Sequence, residues 1–233
     1  MRPTMDEIVN DTLSLYEDPA KVRHREDLGG AAFIAHGWYS ATRDWARGAL
    51  LMEKAGLARS AAPLRRSMIE HALALAWLAD AHEDVLASLR MAEQEHLKKL
   101  DEAMEGGGWS VPPGLIDDLL DPPATGSPEN TNLHIKHLTQ RLGQPNVLVA
   151  WLHETATCHA TLSSASRYVS TWPGEEAKGL AMGEAAESGS DQITLLLLLA
   201  SDGFNNFLVG APWTDELAGL ERLFAEAVRS GKR

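Results

Sequence analysis

Arg66, Glu70 and His71 are the residues of this chain whose types and spacing best suit chemistry. A guanidinium can bind anions through paired hydrogen bonds, and an imidazole titrates near neutrality. Arg66 and Glu70 stand one helical turn apart, so their side chains can meet. His71 follows directly. A carboxylate and an imidazole buried in one cleft have displaced pKa values, and many active or ligand sites are built that way. The same three residues also suit a packing lock, an ion pair beside a satisfied core histidine, because buried charges need partners to survive burial at all. Residue types alone leave both readings open.

The element that must position them is the stretch PLRRSMIEHALALAWLAD. Pro63 suits a first helical turn, where its missing N–H is harmless. The pattern predicts a helix from Pro63 to about Ala81. With successive side chains turned by about 100°, Leu64, Met68, Ala72, Leu75, Leu78 and Ala79 form one apolar stripe. Ile69, Leu73, Ala76 and Trp77 form a second on nearly the opposite side. A helix apolar on two sides is a central helix, covered by neighbours. Arg66 and Glu70 flank the Leu73/Trp77 stripe, and His71 lies beside Met68 and Leu75. The expected partner is a long helix over Val147–Val169, capped by Asn146. Its inward stripe runs Leu148, Leu152, Thr155/Ala156 and Leu162. His159, Ser163 and Ser166 continue that stripe, so the expected ligand-binding set is His159, Ser163 and Ser166 with Trp77.

Around these two helices the chain reads as helical throughout. Residues 1–26 hold an arm or short helix, Met5–Tyr16, ended by Asp18-Pro19. Ala31–Ala55 is a long helix with a small-residue face and a natural stop at Gly56. Val85–Ala103 is amphipathic, with Val85, Leu86, Leu89, Ala92, His96 and Leu100 on one side. Residues 106–130 are rich in glycine and proline, with a short helix expected at Leu115–Leu120, and form a lid or connector. Leu133–Arg141 is a short helix. Residues 173–190 form a second glycine-rich connector. Asp191–Leu208 is the most apolar helix, open to interruption at Asp202-Gly203. Thr214 or Asp215 starts a final amphipathic helix that runs to about Val228. The expectation is an all-α fold: one bundle of about six to eight helices over residues 27–233, preceded by the 1–26 segment.

Two resemblances attach to these residues. Arg66 and His71 have the spacing Arg-x-x-x-x-His, which resembles the catalytic motif of HEPN domains. Those are helical bundles that often act as metal-independent ribonucleases. The resemblance implies that Arg66 stabilises phosphate charge and His71 moves the 2′-hydroxyl proton, usually across a dimer. Here the residue after the arginine is Ser67, where HEPN domains commonly have a small amide or acid. The broader pattern over about residues 30–172 is similar to a group of uncharacterised actinobacterial-type helical proteins. These share R-S-x-x-E-x-x-x-x-x-x-W-L, here Arg66, Ser67, Glu70, Trp77 and Leu78. A later helix of that group carries an aromatic, then Leu-Ser, then a histidine. The matching run here is HATLSSASRYV, with His159 in the aromatic's place, Leu162-Ser163 matching, and Ser166 or Arg167 in the histidine's place. This resemblance implies an all-helical fold and no defined activity.

Other chemistries find less support. Glu93 and His96 make one Glu-x-x-His, the ligand spacing of ferritin-like bundles, without a second copy. Glu93 reads as a solvated residue and His96 as a core one. His153-Glu154 with His159 is not His-Glu-x-x-His. His134 and His137 lack acidic partners nearby. No metal and no cofactor is expected. There is no Gly-x-Ser-x-Gly elbow, and the GGG at 106–108 lacks the Gly-Lys-Ser/Thr of a phosphate loop.

A formal net charge of −12 and a pI of about 5.2 disfavour broad binding to nucleic acid or anionic membrane. Cys158 is the single cysteine, which fits a reducing cytoplasm. The N-terminus has acids where a signal peptide needs an apolar run. No run is long enough to span a membrane. Seven tryptophans suit the lining of an apolar pocket, a core or a homo-oligomer interface. Two functions therefore stand. One is a non-enzymatic module that binds a protein partner or a small apolar ligand through a polar seam in the bundle core, as a homodimer. The other is a HEPN-type ribonuclease in a defence or toxin role, using Arg66 and His71. A metal-dependent bundle enzyme is the weakest alternative.

Overall fold

A computed structural model describes residues 4–109, 135–160 and 189–231. The fold is all-α. Among the described residues the helices are α1 (Met5–Ser14), α2 (Gly29–Lys54), α3 (Ala62–Ala81), α4 (Glu83–Gly106), α5 (Ile135–Arg141), α6 (Pro145–Cys158), α7 (Ser190–Asn205) and α8 (Thr214–Gly231). Among the described residues no helix is long and apolar enough to cross a membrane.

The central element is α3, which packs against α2, α5, α6 and α7. Both expected stripes are buried over most of their length, with Leu64, Ala76 and Ala79 only partly covered. Met68, Ala72, Leu75 and Leu78 are sealed on one side, and Ile69, Leu73 and Trp77 on the other. α2 presents its small face, Ala31, Ala32, Ala35, Ala46 and Ala49, to the core. It leaves Phe33 and Leu51 largely exposed. Gly56, at φ +74°, follows the end of α2 in the left-handed conformation that glycine adopts without strain. His82, at φ +35°, makes the sharp turn from α3 into α4.

α7 crosses α3 without interruption at Asp202-Gly203. A Cβ on Gly203 would come within 3.2 Å of the Leu75 and Ala76 backbone. The missing side chain is thus a packing feature of this crossing rather than a break in the helix. Tyr39 of α2 stacks on Phe204 of α7 at 4.5 Å between ring centroids, and Trp213 closes the group at 5.6 Å from Phe204. The Tyr39 hydroxyl bonds Ser201 Oγ at 3.0 Å. Burial raises its pKa to about 12.

The N-terminal segment is held against the bundle. α1 starts in a reciprocal cap, with Thr4 Oγ1 accepting from the Glu7 N–H and Glu7 Oε2 accepting from the Thr4 N–H. It then buries Ile8, Val9, Thr12 and Leu13 against α7 and α8. The strap after it is tied to the 206–209 segment. The Arg25 N–H donates to Phe207 O at 2.9 Å, and the Val209 N–H donates to Arg23 O at 2.7 Å. His24 Nε2 lies 3.0 Å from His36 Nδ1, and the Tyr16 hydroxyl lies 2.8 Å from His36 Nε2.

Candidate functional site

α3 and α6 run antiparallel, and Trp151, Glu154 and Cys158 of α6 recur at a spacing that turns one face toward α3. Two polar groups bridge the helices.

The first bridge contains residues singled out above. Arg66 Nε donates to Glu70 Oε1 at 3.1 Å, and Trp151 Nε1 donates to the same oxygen at 2.9 Å. The guanidinium carbon stands 5.2 Å from the centroid of the Trp151 ring. Arg66 Nη1 lies 3.3 Å from His159 Nε2, an acceptor geometry that places the proton of the neutral His159 on Nδ1. The expected meeting of Arg66 and Glu70 with His159 therefore occurs.

Its setting differs from the expected one in two ways. The Arg66–Glu70 pair is not buried: the side chains are 29% and 37% exposed. In addition, α6 ends at Cys158, and His159 has extended backbone with φ −95° and ψ 153°. The helix expected over Val147–Val169 therefore breaks at His159, an exposed residue just past its end, and residues 161–169 lie outside the described residues. The threonines at 155 and 157 contribute, since such side chains have low helix propensity and compete for backbone groups. Thr157 Oγ1 already bonds His153 O at 3.1 Å. Ser163 and Ser166 lie outside the described residues.

The second bridge is the buried ion pair, and it uses the neighbouring arginine. Arg65 grips Glu154 with Nε to Oε1 at 2.9 Å and Nη2 to Oε2 at 3.1 Å. Its Nη1 donates to Glu53 Oε1 at 3.2 Å and to Ala58 O at 2.9 Å. The Gly189 N–H also donates to Glu53 Oε1, at 3.0 Å. Arg65 and Glu154 are 7% and 2% exposed. The structural lock expected of Arg66 is thus carried by Arg65. The sequence does contain a sign of it: positions 65, 68, 72 and 75 share the first apolar stripe of α3.

His71 turns to another side of α3. Its Nδ1 sits 3.0 Å from Ser67 O. A carbonyl only accepts, so Nδ1 carries the proton and the neutral ring keeps a lone pair on Nε2. Trp45 meets the ring edge-on at 4.4 Å and Trp38 at 6.1 Å. Burial holds the His71 pKa below the ordinary histidine value, against smaller upward pulls from the Ser67 bond and from Glu70. The imidazole is therefore neutral at physiological pH.

His71 and Glu70 open together on a cavity of 380 Å³. Trp38 and Trp151 supply aromatic walls, and Ala74, Leu89, Ile135 and Leu138 the aliphatic ones. Trp77 does not line it. That residue is 6% exposed within the core cluster, so its expected place in a ligand site is corrected to a packing role. Arg66 and His159 do not line the cavity either. Arg66 holds Glu70 and lies over the Trp151 ring, and His159 meets Arg66. The roles of Trp38 and Trp151 escape sequence reasoning because nothing in the sequence separates them from the other tryptophans.

A larger hollow of 540 Å³ lies between α1 and α8. Asp11, Glu216, Arg222 and Glu226 rim it, and Glu216 is already paired with Lys21 at 2.6 Å. The smaller cavity is the better candidate of the two, because it joins aromatic walls to a half-buried imidazole and a carboxylate.

No cluster of three or more histidine, cysteine, aspartate or glutamate side chains able to hold a metal occurs among the described residues. Glu93 and His96 are both exposed. His96 is thus not the core residue its position in the stripe implied, and Leu97 is buried in its stead. Glu154 is committed to Arg65, and His134 lies outside the described residues. No family model, no curated protein and no solved structure matches this chain.

Proposed function

We propose that this chain is a helical binding module whose cavity, lined from α2, α3, α4, α5 and α6, takes a small, mostly apolar molecule. The observation that carries the reading is the joint opening of Glu70 and His71 on a 380 Å³ space walled by Trp38 and Trp151. A space of this size suits a compact ligand, and two polar groups set in apolar walls are the usual means of orienting one. The bridge behind it supports the same reading. Arg66 and Trp151 both hold Glu70 Oε1, which keeps the carboxylate in one orientation before any ligand arrives.

Calorimetric titration with small aromatic compounds tests this. The wild type is expected to bind members of such a panel. Ala74→Trp, which fills the cavity from its own wall, is expected to abolish binding while the melting transition persists. Binding that survives Ala74→Trp would refute the assignment. Cleavage of an RNA substrate by the wild type, lost in His71→Ala, would instead favour the metal-independent nuclease built on Arg66 and His71.

A further inference from the structure

The polar atoms of the cavity have a polarity of their own. His71 spends its one N–H on Ser67 O. Trp151 spends its one N–H on Glu70 Oε1, and that oxygen also takes Arg66 Nε–H. Two acceptors remain without a donor among the described residues, His71 Nε2 and Glu70 Oε2. The indole N–H of Trp38 is the one wall donor without an acceptor there. From this inventory, and resting on the binding-module reading above, we infer that the ligand is a neutral, flat, mostly apolar molecule carrying an O–H or N–H donor, of the phenol or indole class.

Charge supports neutrality. An anion would meet the Glu70 carboxylate with no cation among the described wall residues, since Arg66 does not line the cavity. A cation would find the charge of Glu70 already answered by Arg66 at 3.1 Å. It would leave water for apolar walls with little net counter-charge to receive it. A hydroxyl on an aromatic ring meets neither difficulty. It can donate to His71 Nε2, while its ring lies against the walls that Trp38 and Trp151 supply. Discrimination by such a site comes mainly from the half-buried His71 Nε2, which an analogue without the donor leaves unpaired against apolar walls.

The test is isothermal titration calorimetry at pH 7.5 with four naphthalenes of similar size: 2-naphthol, 2-methoxynaphthalene, 2-naphthoate and 2-naphthylmethylammonium. We expect 2-naphthol to bind at least about tenfold more tightly than its methyl ether, and the two ions to bind more weakly still. His71→Phe is expected to erase the preference for 2-naphthol over the ether while leaving both bound. Equal binding of 2-naphthol and the ether by the wild type, or tightest binding by either ion, overturns the inference and leaves the binding module standing. Absence of binding by all four overturns the module and the inference together. The wild-type comparison decides the matter even if His71→Phe fails to fold.

Discussion

Two adjacent arginines should differ sharply in what their loss does to stability. Arg65 makes four hydrogen bonds at 2.9–3.2 Å, three of them to the carboxylates of Glu154 and Glu53. Those carboxylate side chains are only 3% and 7% exposed. Arg65→Met removes the cation and leaves both of them buried, a loss of roughly 3–5 kcal/mol for an uncompensated buried charge. For a chain of this size each kcal/mol moves the melting temperature by about 2–4 °C, so the midpoint should fall by roughly 6–20 °C. Glu154→Gln is gentler, because the amide oxygen still accepts and Arg65 keeps Glu53; a loss of about 1–3 kcal/mol is expected. Arg66→Met removes a pair whose members are 29% and 37% exposed. Discounted for solvent screening, that pair contributes about 1 kcal/mol or less, and the contact with the Trp151 face adds about 0.5–1 kcal/mol. Thermal unfolding followed by circular dichroism ranks the three. The expected order of destabilisation is Arg65→Met, then Glu154→Gln, then Arg66→Met. If Arg65→Met and Arg66→Met melt within about 2 °C of each other, the buried network does not stabilise the fold as argued.

Other consequences are open to the same methods. Gly203→Ala places a methyl 3.2 Å from the Leu75 and Ala76 backbone; overpacking of this kind costs about 1–3 kcal/mol, and an unchanged melting midpoint would show that the crossing yields freely. Thr4→Ala removes the reciprocal cap of α1 and should cost about 0.5–2 kcal/mol, read most directly as faster amide exchange at Ile8 and Val9. Burial holds the pKa values of both His36 and His71 below the ordinary range, and His24 and Arg43 press His36 further down. The unfolded chain takes up these protons near pH 6.5 and the folded chain only at lower pH. Stability from this source is therefore complete above about pH 6.5 and declines as pH falls through that value toward the folded pKa. Melting midpoints from pH 7.5 to pH 5.5 should drop for the wild type and drop less for His36→Phe, whose neighbours are His24, Tyr16 and Arg43. Equal slopes for the two would refute the assignment.

The helices were legible wherever the sequence carries its own punctuation. Pro63 and the double stripe placed α3 to within a residue of Ala62–Ala81, and Gly56 marked the end of α2. The far end of α6 was not legible, because Cys158-His159-Ala160 holds neither glycine nor proline. The contact of Arg66 and Glu70 followed from one helical turn of separation. Their exposure did not follow, because a stripe shows which way a side chain faces and not how much neighbouring chain covers it. The buried lock was harder still. Arg65 and Glu154 are 89 positions apart, and a charge in an apolar stripe identifies no partner at that distance. The surroundings of His71 come from α2, α4, α5 and α6, so no local pattern specifies them.

The crossing at Gly203 has a consequence for inheritance. α3 carries Arg65, Arg66, Glu70 and His71 on one rod, and α7 rests on that rod so closely that a methyl group at 203 would stand 3.2 Å from its backbone. A lineage that replaced this glycine would press on the one rod that carries all four side chains. The lock and the cavity therefore cannot drift apart by changes at this crossing. Descendants that diverge in ligand would retain a small residue at 203, or trade it against positions 75 and 76, and change instead the walls contributed by α5 and α6.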